Sequence, residues 1–429
     1  MSTFTTRSDG RIHVHILPHT RFRTKDLMIR LHTPLVRDTV TAMSLLPYMW
    51  MNGTKTHPST RDLQIAADDL YGSVIRTSLG KRAGYHVFEA AASIPDVSRL
   101  TADDVVAQAA DLVCQVLLDH AAGHGAFSDE AVAQEIDLHR RRIEAARDDK
   151  MGFALQRCMA EVAEDSPAAL PRLGFIDELG DLTSDKLYRT YESVFQASEV
   201  HAYLVGPFEN AHALAEKLIR ELGRVFPSDS SRTAFRVEPL SREARAEFQT
   251  VTEHQDVAQA QLDMGYRTGV NFADENYPSL LMMNGVFGGF AHSKLFLNVR
   301  EKHSLAYSVW SHHDGMTGAL AVMTGIDPKN YDQARQIIDQ QLSAIQAGDV
   351  SDEEINFTFR GLQNQYTVLL DQPAALANWH YNGVLSGKER DIEDMLKALQ
   401  SVTKEDIVQA AQAVQPHTIY FLTGEGDAS

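Results

Sequence analysis

The sequence predicts an α+β protein built from two domains of similar topology, and three observations carry that reading. The chain is 429 residues long, more than one hydrophobic core usually serves. Segments in which apolar residues alternate are interleaved with segments of helical period. The same ending also occurs twice: a threonine-capped helix, a short break, an apolar strand and a glycine. Leu182-Thr183-Ser184-Asp185-Lys186-Leu187 leads to Tyr203-Leu204-Val205-Gly206, and Val402-Thr403-Lys404-Glu405-Asp406-Ile407 leads to Tyr420-Phe421-Leu422-Thr423-Gly424. The expected organisation is a domain over 1–226, a polar linker over 227–247, and a second domain over 248–429, with domains of about 200 residues.

The elements follow in order. Ile12, Val14 and Ile16 alternate with His13 and His15, the mark of a half-buried strand. A second strand is expected near Leu27 to Leu31. A helix runs from about Asp38, an N-cap candidate, to Met51, closed by Asn52-Gly53. Ser59 and Asp62 resemble a capping box, with Asp in place of the usual Glu, opening a helix that ends near Tyr71-Gly72. Strands over Ser73–Leu79 and Tyr85–Ile94 are joined by Gly80-Lys81-Arg82-Ala83-Gly84. Long helices then run from about Asp103 to His120 and from Ser128 to Asp148. The second carries Asp129 and Glu130 in its first turn, where the helix dipole favours negative charge.

Composition narrows the function. The formal net charge of −18 argues against nucleic acid or an anionic membrane as the main partner, and suits cationic peptides through long-range steering. There is no apolar stretch of membrane-spanning length, and Met1 to Gly10 lack the apolar core of a secretory signal. Two cysteines, Cys114 and Cys158, give no disulfide framework, so a cytoplasmic location is expected.

Ser44-Leu45-Leu46-Pro47-Tyr48-Met49-Trp50-Met51-Asn52-Gly53-Thr54 is similar to the zinc-binding helix of the insulinase/pitrilysin peptidases, which reads His-x-x-Glu-His and ends in Gly-Thr. Further on, Val286-Phe287-Gly288-Gly289-Phe290, Leu295-Phe296 and Arg300-Glu301-Lys302-His303-Ser304-Leu305-Ala306-Tyr307-Ser308 resemble that family's C-terminal signature. The resemblance covers nearly the whole chain. It implies two homologous α/β-sandwich domains, each a mainly antiparallel sheet with helices packed on one face.

Laid over the family pattern, the metal-binding histidines fall on Ser44 and Tyr48, and the water-activating glutamate falls on Pro47. The third ligand, a glutamate on a later helix, falls on Arg142, seven residues after Glu135. A catalytic zinc needs about three ligands drawn from His, Cys, Asp and Glu. Serine and tyrosine hydroxyls are poor zinc ligands near neutral pH, arginine repels a dication, and proline cannot act as a general base. The resemblance therefore implies a member with no zinc, no other cofactor and no catalytic residue of its own. His13 with His15, and His312-His313 with Asp314, could hold a metal, but each lacks an obvious further ligand in the sequence, so none is expected there.

Two parts of the family's substrate machinery persist. The strand with Ser73, Val74, Ile75, Arg76 and Thr77 corresponds to a sheet edge to which a peptide adds as an extra strand. Arg300 and Tyr307 correspond to an arginine and a tyrosine that contact substrate and the developing oxyanion from the facing domain. Gly285, Gly288 and Gly289 lack the strand-GxGxxG-helix context of a phosphate loop.

Three functions are compatible with these residues. In the first, a non-catalytic subunit complements a zinc-bearing paralogue in a heterodimeric peptidase that cuts extended peptides. In the second, a peptide-binding or scaffold homodimer has no proteolytic role. In the third, Glu135, His139 or His86 support rebuilt chemistry.

Overall fold

The computed structural model describes residues 3–97, 104–119, 127–226, 235–241, 245 and 247–424. Asp103 and His120, and residues 227–234, 242–244 and 246 of the expected linker, lie outside the described residues. No helix among the described residues is long and apolar enough to cross a membrane.

Two mixed sheets organise the chain. The first contains β1 (Thr5–Asp9), β2 (Ile12–Pro18), β3 (Thr24–Pro34), β4 (Val74–Arg82), β5 (Tyr85–Pro95) and β6 (Glu199–Gly206), in the order β1-β2-β6-β3-β5-β4. The second contains β7 (Gln249–His254), β8 (Ala260–Arg267), β9 (Ala306–Asp314), β10 (Ala319–Ile326) and β11 (Gln415–Thr423), in the order β7-β11-β8-β10-β9. The repeated ending delivers its strand to equivalent places. β6 is parallel to β2 and antiparallel to β3, while β11 is parallel to β7 and antiparallel to β8. Both threonine caps form. Thr183 Oγ1 accepts from the Lys186 N–H and Thr403 Oγ1 from the Asp406 N–H, each at 3.2 Å.

Local readings shift in three places. The polar N-terminus adds β1, whose five exposed residues pair with β2 and carry no apolar alternation to announce a strand. The helix Val40–Trp50 is preceded by Thr39 rather than Asp38, with no side-chain cap bond. The turn after the expected Ser73–Leu79 strand is shorter than the sequence suggested. β4 starts at Val74 and extends through Arg82, which leaves Ala83 and Gly84 to turn, with Ala83 left-handed at φ 47°.

The described chain separates into two compact units, residues 1–144 with 170–235 and 371–379, and residues 145–169 with 236–370 and 380–429. A boundary at 226–248 misses two exchanges. The helix Lys150–Val162 precedes the first unit's last strand in sequence, yet it packs on β8, β10 and β11. A Cβ on Gly265 would clash with Val162 and lie 3.0 Å from Cys158 Sγ, so the helix and β8 meet where no side chain fits. Arg267 of β8 also donates to the Val162 carbonyl (2.6 Å) and to Asp165 (2.7 Å). The second exchange brings 371–379 to the first unit, where the Ala377 carbonyl accepts from Arg30. Hydrophobic periodicity shows that a helix is amphipathic but not which sheet its apolar stripe covers.

In the first unit Ile12, Val14, Ile16, Leu27, Ile29, Leu31, Val200, Ala202 and Leu204 form the apolar face with the helices. Alternation sends His13, His15, Arg30, His32, Glu199 and His201 to the other face. Both faces are closed over β6, whose eight residues are all buried.

Candidate functional site

The helix Val40–Trp50 carries Ser44, Pro47 and Tyr48, and the helix Asp129–Asp148 carries Glu135, His139 and Arg142. The fold gathers these residues into one cluster. Ser44 Oγ lies 2.7 Å from the Thr41 carbonyl and 2.9 Å from His139 Nε2. The Arg142 guanidinium stacks on the Tyr48 ring, 3.7 Å from its centroid, and forms an ion pair with buried Glu135. Burial pushes the Glu135 carboxyl up, against the pull of Arg142. Pro47 leaves one helical hydrogen bond unmade, and its own carbonyl accepts from Thr77 Oγ1 of β4 at 2.5 Å. This tie fixes the helix against the edge strand.

The histidines here are set up for packing rather than proton transfer. A carbonyl only accepts, so His139 Nε2–H donates to Leu173 and His86 Nε2–H donates to Arg172, each at 2.9 Å. Neither Nδ1 has a hydrogen-bond partner among the described residues. Burial lowers the pKa of both rings to about 4. With Glu135 paired and both rings neutral and buried, the arrangement does not favour rebuilt acid–base chemistry.

A pH dependence follows. Above pH 6.5 both rings are neutral whether the chain is folded or unfolded, and they add no slope. Between 6.5 and about 4 the unfolded chain takes up protons that the folded chain refuses, so stability drops as the pH drops and levels off below about 4. Each histidine contributes at most ~1.4 kcal/mol per pH unit in that window. Urea unfolding of the wild type and of His86→Gln/His139→Gln should give a shallower slope for the variant. Equal slopes would show that these rings are not the acid-sensitive groups.

β4 is the outermost strand of its sheet, with Val74 exposed and Ile75, Arg76 and Thr77 half-buried. Ser73 precedes the strand and is buried, its hydroxyl donating to the Leu70 carbonyl at 2.7 Å. It therefore differs from the four strand residues after it. Arg76 lies 3.7 Å from Glu89, which also accepts from Arg30 at 2.8 Å.

Arg300 lies on a π-helical turn, Phe296–Lys302, and Tyr307 on the outermost strand β9. The Arg300 guanidinium carbon is 4.5 Å from the Phe296 ring centroid and 5.6 Å from that of Tyr307. Tyr307 is 82% exposed, so it does not pack into the sheet. The one carboxylate paired with Arg300 among the described residues is Glu301, 3.5 Å away and itself exposed.

The two histidine groups read from the sequence as able to hold a metal fare differently. His313 Nε2 donates to the Val270 carbonyl at 3.3 Å, and no metal-sized cluster forms around it among the described residues. His13 instead meets Glu199 and His201, brought beside it by β6. These partners lie far along the chain, and only the parallel β2–β6 pairing reveals them.

Two topologically equivalent α+β units, with Ser44, Tyr48 and Arg142 gathered on one pair of helices, define a metallopeptidase-like class. Comparisons agree. Residues 181–362 match the family described as Peptidase M16 inactive domain. The chain is 35% identical over 421 residues to the "Probable inactive metalloprotease YmfF" of Bacillus subtilis (strain 168), covering 98% of this chain and 97% of that protein. A conserved protein from Enterococcus faecalis V583 is similar in structure, with a TM-score of 0.90 at 27% identity over 100% of both chains. A peptidase M16 inactive domain from Pseudomonas fluorescens shares the fold, with a TM-score of 0.78 at 16% identity over 98% of each chain. The chain belongs to the insulinase/pitrilysin (M16) peptidase family, and its sequence has no His-x-x-Glu-His motif.

Proposed function

We propose that the chain is the non-catalytic subunit of a two-chain peptidase, binding an extended peptide and complementing a zinc-bearing paralogue. The observation that carries this reading is the exposure of Tyr307 at 82%, beside a guanidinium whose paired carboxylate is itself exposed. A large aromatic ring left in water next to a cation is suited to contacts outside the chain. In this reading Arg300 and Tyr307 act in trans at the partner's zinc centre, and β4 receives the peptide as an added strand. Ser44, Pro47, Tyr48 and Arg142 are the remains of the chain's own zinc site. The cytoplasm is the compartment proposed, and the two free thiols, Cys114 and Cys158, suit it.

The test is co-purification with a paralogue that keeps the His-x-x-Glu-His helix, followed by a peptide-cleavage assay. Cleavage by the mixture well above that of the paralogue alone is the expected result. A stable homodimer that neither binds the paralogue nor raises its rate would replace this reading with the scaffold one.

A further inference from the structure

We propose a divalent transition-metal site on the first unit's sheet, formed by His13 of β2 with Glu199 and His201 of β6. Strand geometry brings the three together. Glu199 and His201 are two residues apart and so share a face, and the parallel register sets His13 directly beside His201. His13 Nε2 is 3.3 Å and His201 Nε2 is 3.2 Å from the same oxygen, Glu199 Oε1. The three donor atoms all lie within 4.8 Å of one another.

The spacing admits a cation as well as the hydrogen bond between His201 Nε2 and Glu199 Oε1 at 3.2 Å. Charge-assisted histidine–carboxylate hydrogen bonds close to about 2.7–2.9 Å. Ligands about 2.0–2.1 Å from a tetrahedral zinc stand roughly 3.3–3.4 Å apart, which is close to the separation seen from both rings.

The outer groups are arranged as a metal site needs them. His13 Nδ1 lies 2.8 Å from Ser8 Oγ, and an Nδ1–H donating to that hydroxyl would leave the Nε2 lone pair for a metal. His201 Nδ1 lies 2.9 Å from His15 Nε2, and His15 Nδ1 lies 2.9 Å from Thr6 Oγ1. A relay in which each Nδ1–H donates outward fixes His201 in the metal-binding tautomer. Glu199 Oε2 accepts from the Phe235 N–H at 3.1 Å, which presents Oε1 inward. Side-chain exposure of 24% at His13, 10% at Glu199 and 2% at His201 makes His13 the member most open to solvent. Two imidazoles and a carboxylate suit zinc and its neighbours cobalt and nickel, with a fourth position left for water. The residues are separate from Ser44, Tyr48 and Arg142, so the site stands whether or not the chain partners a peptidase.

The experiment uses the full untagged chain, stripped with chelator and titrated with zinc by calorimetry. Metal content is measured after dialysis, and cobalt absorption reports the geometry. One equivalent of zinc, a tetrahedral cobalt spectrum and a zinc-dependent rise in Tm are expected. His13→Ala and Glu199→Gln should lose the binding, and Ser8→Ala should weaken it roughly tenfold through the outer contact. His13 and Ser8 are partly exposed, so these two variants keep the test open if Glu199→Gln fails to fold. Absence of zinc binding by the folded wild type, or binding that survives undiminished in His13→Ala, overturns the assignment.

Discussion

Arg142→Ala is expected to lower the stability of the first unit by about 3 kcal/mol, because it strands a buried carboxylate. Glu135 is 5% exposed at its side chain and Arg142 31%, so water reaches the cation but hardly the anion. Removing the guanidinium leaves Glu135 with burial and no opposing charge, and its carboxyl moves further up toward the neutral form. The Tyr48 ring loses its stacked cation at the same time, a further ~0.5–1 kcal/mol. The Arg142→Ala/Glu135→Gln double variant should recover most of the loss, because a neutral amide tolerates the site better than an unpaired carboxylate. Urea unfolding of the four members of this cycle is the measurement. A loss below about 1 kcal/mol for Arg142→Ala, or no recovery in the double variant, would mean that the ion pair does not stabilise the helix Asp129–Asp148 in its place.

This expectation bears on how a metal-free helix pair stays folded. Under the proposed reading, Arg142 stands where the family places a zinc-binding glutamate, and its fixed cation neutralises Glu135 without any bound ion. Ser44 is likewise satisfied internally, by the Thr41 carbonyl and His139. In that reading the former ligand positions are satisfied within the chain, Arg142 by Glu135 and the Tyr48 ring, and Ser44 by Thr41 and His139.

Much of this was legible from residues alone, and the rest was not for identifiable reasons. The Ser44 to Thr54 motif and the Arg300 to Ser308 stretch carry the family because each is a dense local pattern. The two Thr-capped endings gave the duplicated topology, since caps and strands are written within a few residues. The place of the helix Lys150–Val162 was hidden, because it depends on Gly265, far along the chain, leaving room for Val162. The histidine–glutamate cluster was hidden likewise. Alternation put His13 and His15 on one face, but a parallel pairing with β6 is a long-range event that periodicity does not encode.

Tyr307→Phe and Arg300→Ala are expected to lower the peptidase rate of the assembled pair by about 10²-fold each, with no loss of stability in the chain itself. The stability half of this follows from exposure: the Tyr307 hydroxyl sits on a residue that is 82% exposed, and the Arg300–Glu301 pair lies at the surface, where such pairs contribute little. The rate half follows from the proposed role. A hydroxyl or guanidinium held against developing negative charge acts mainly in the transition state, so the fall should appear in kcat with KM little changed. If the two residues only grip the substrate, KM rises and kcat holds, and the proposed role shifts from the oxyanion to peptide positioning. Arg300→Lys separates charge from geometry, because a lysine keeps the charge but not the planar fork placed near Phe296 and Tyr307. Partial rescue by lysine is expected. A cleavage rate unmoved by all three substitutions, in a complex that still assembles, would remove Arg300 and Tyr307 from the catalytic machinery altogether.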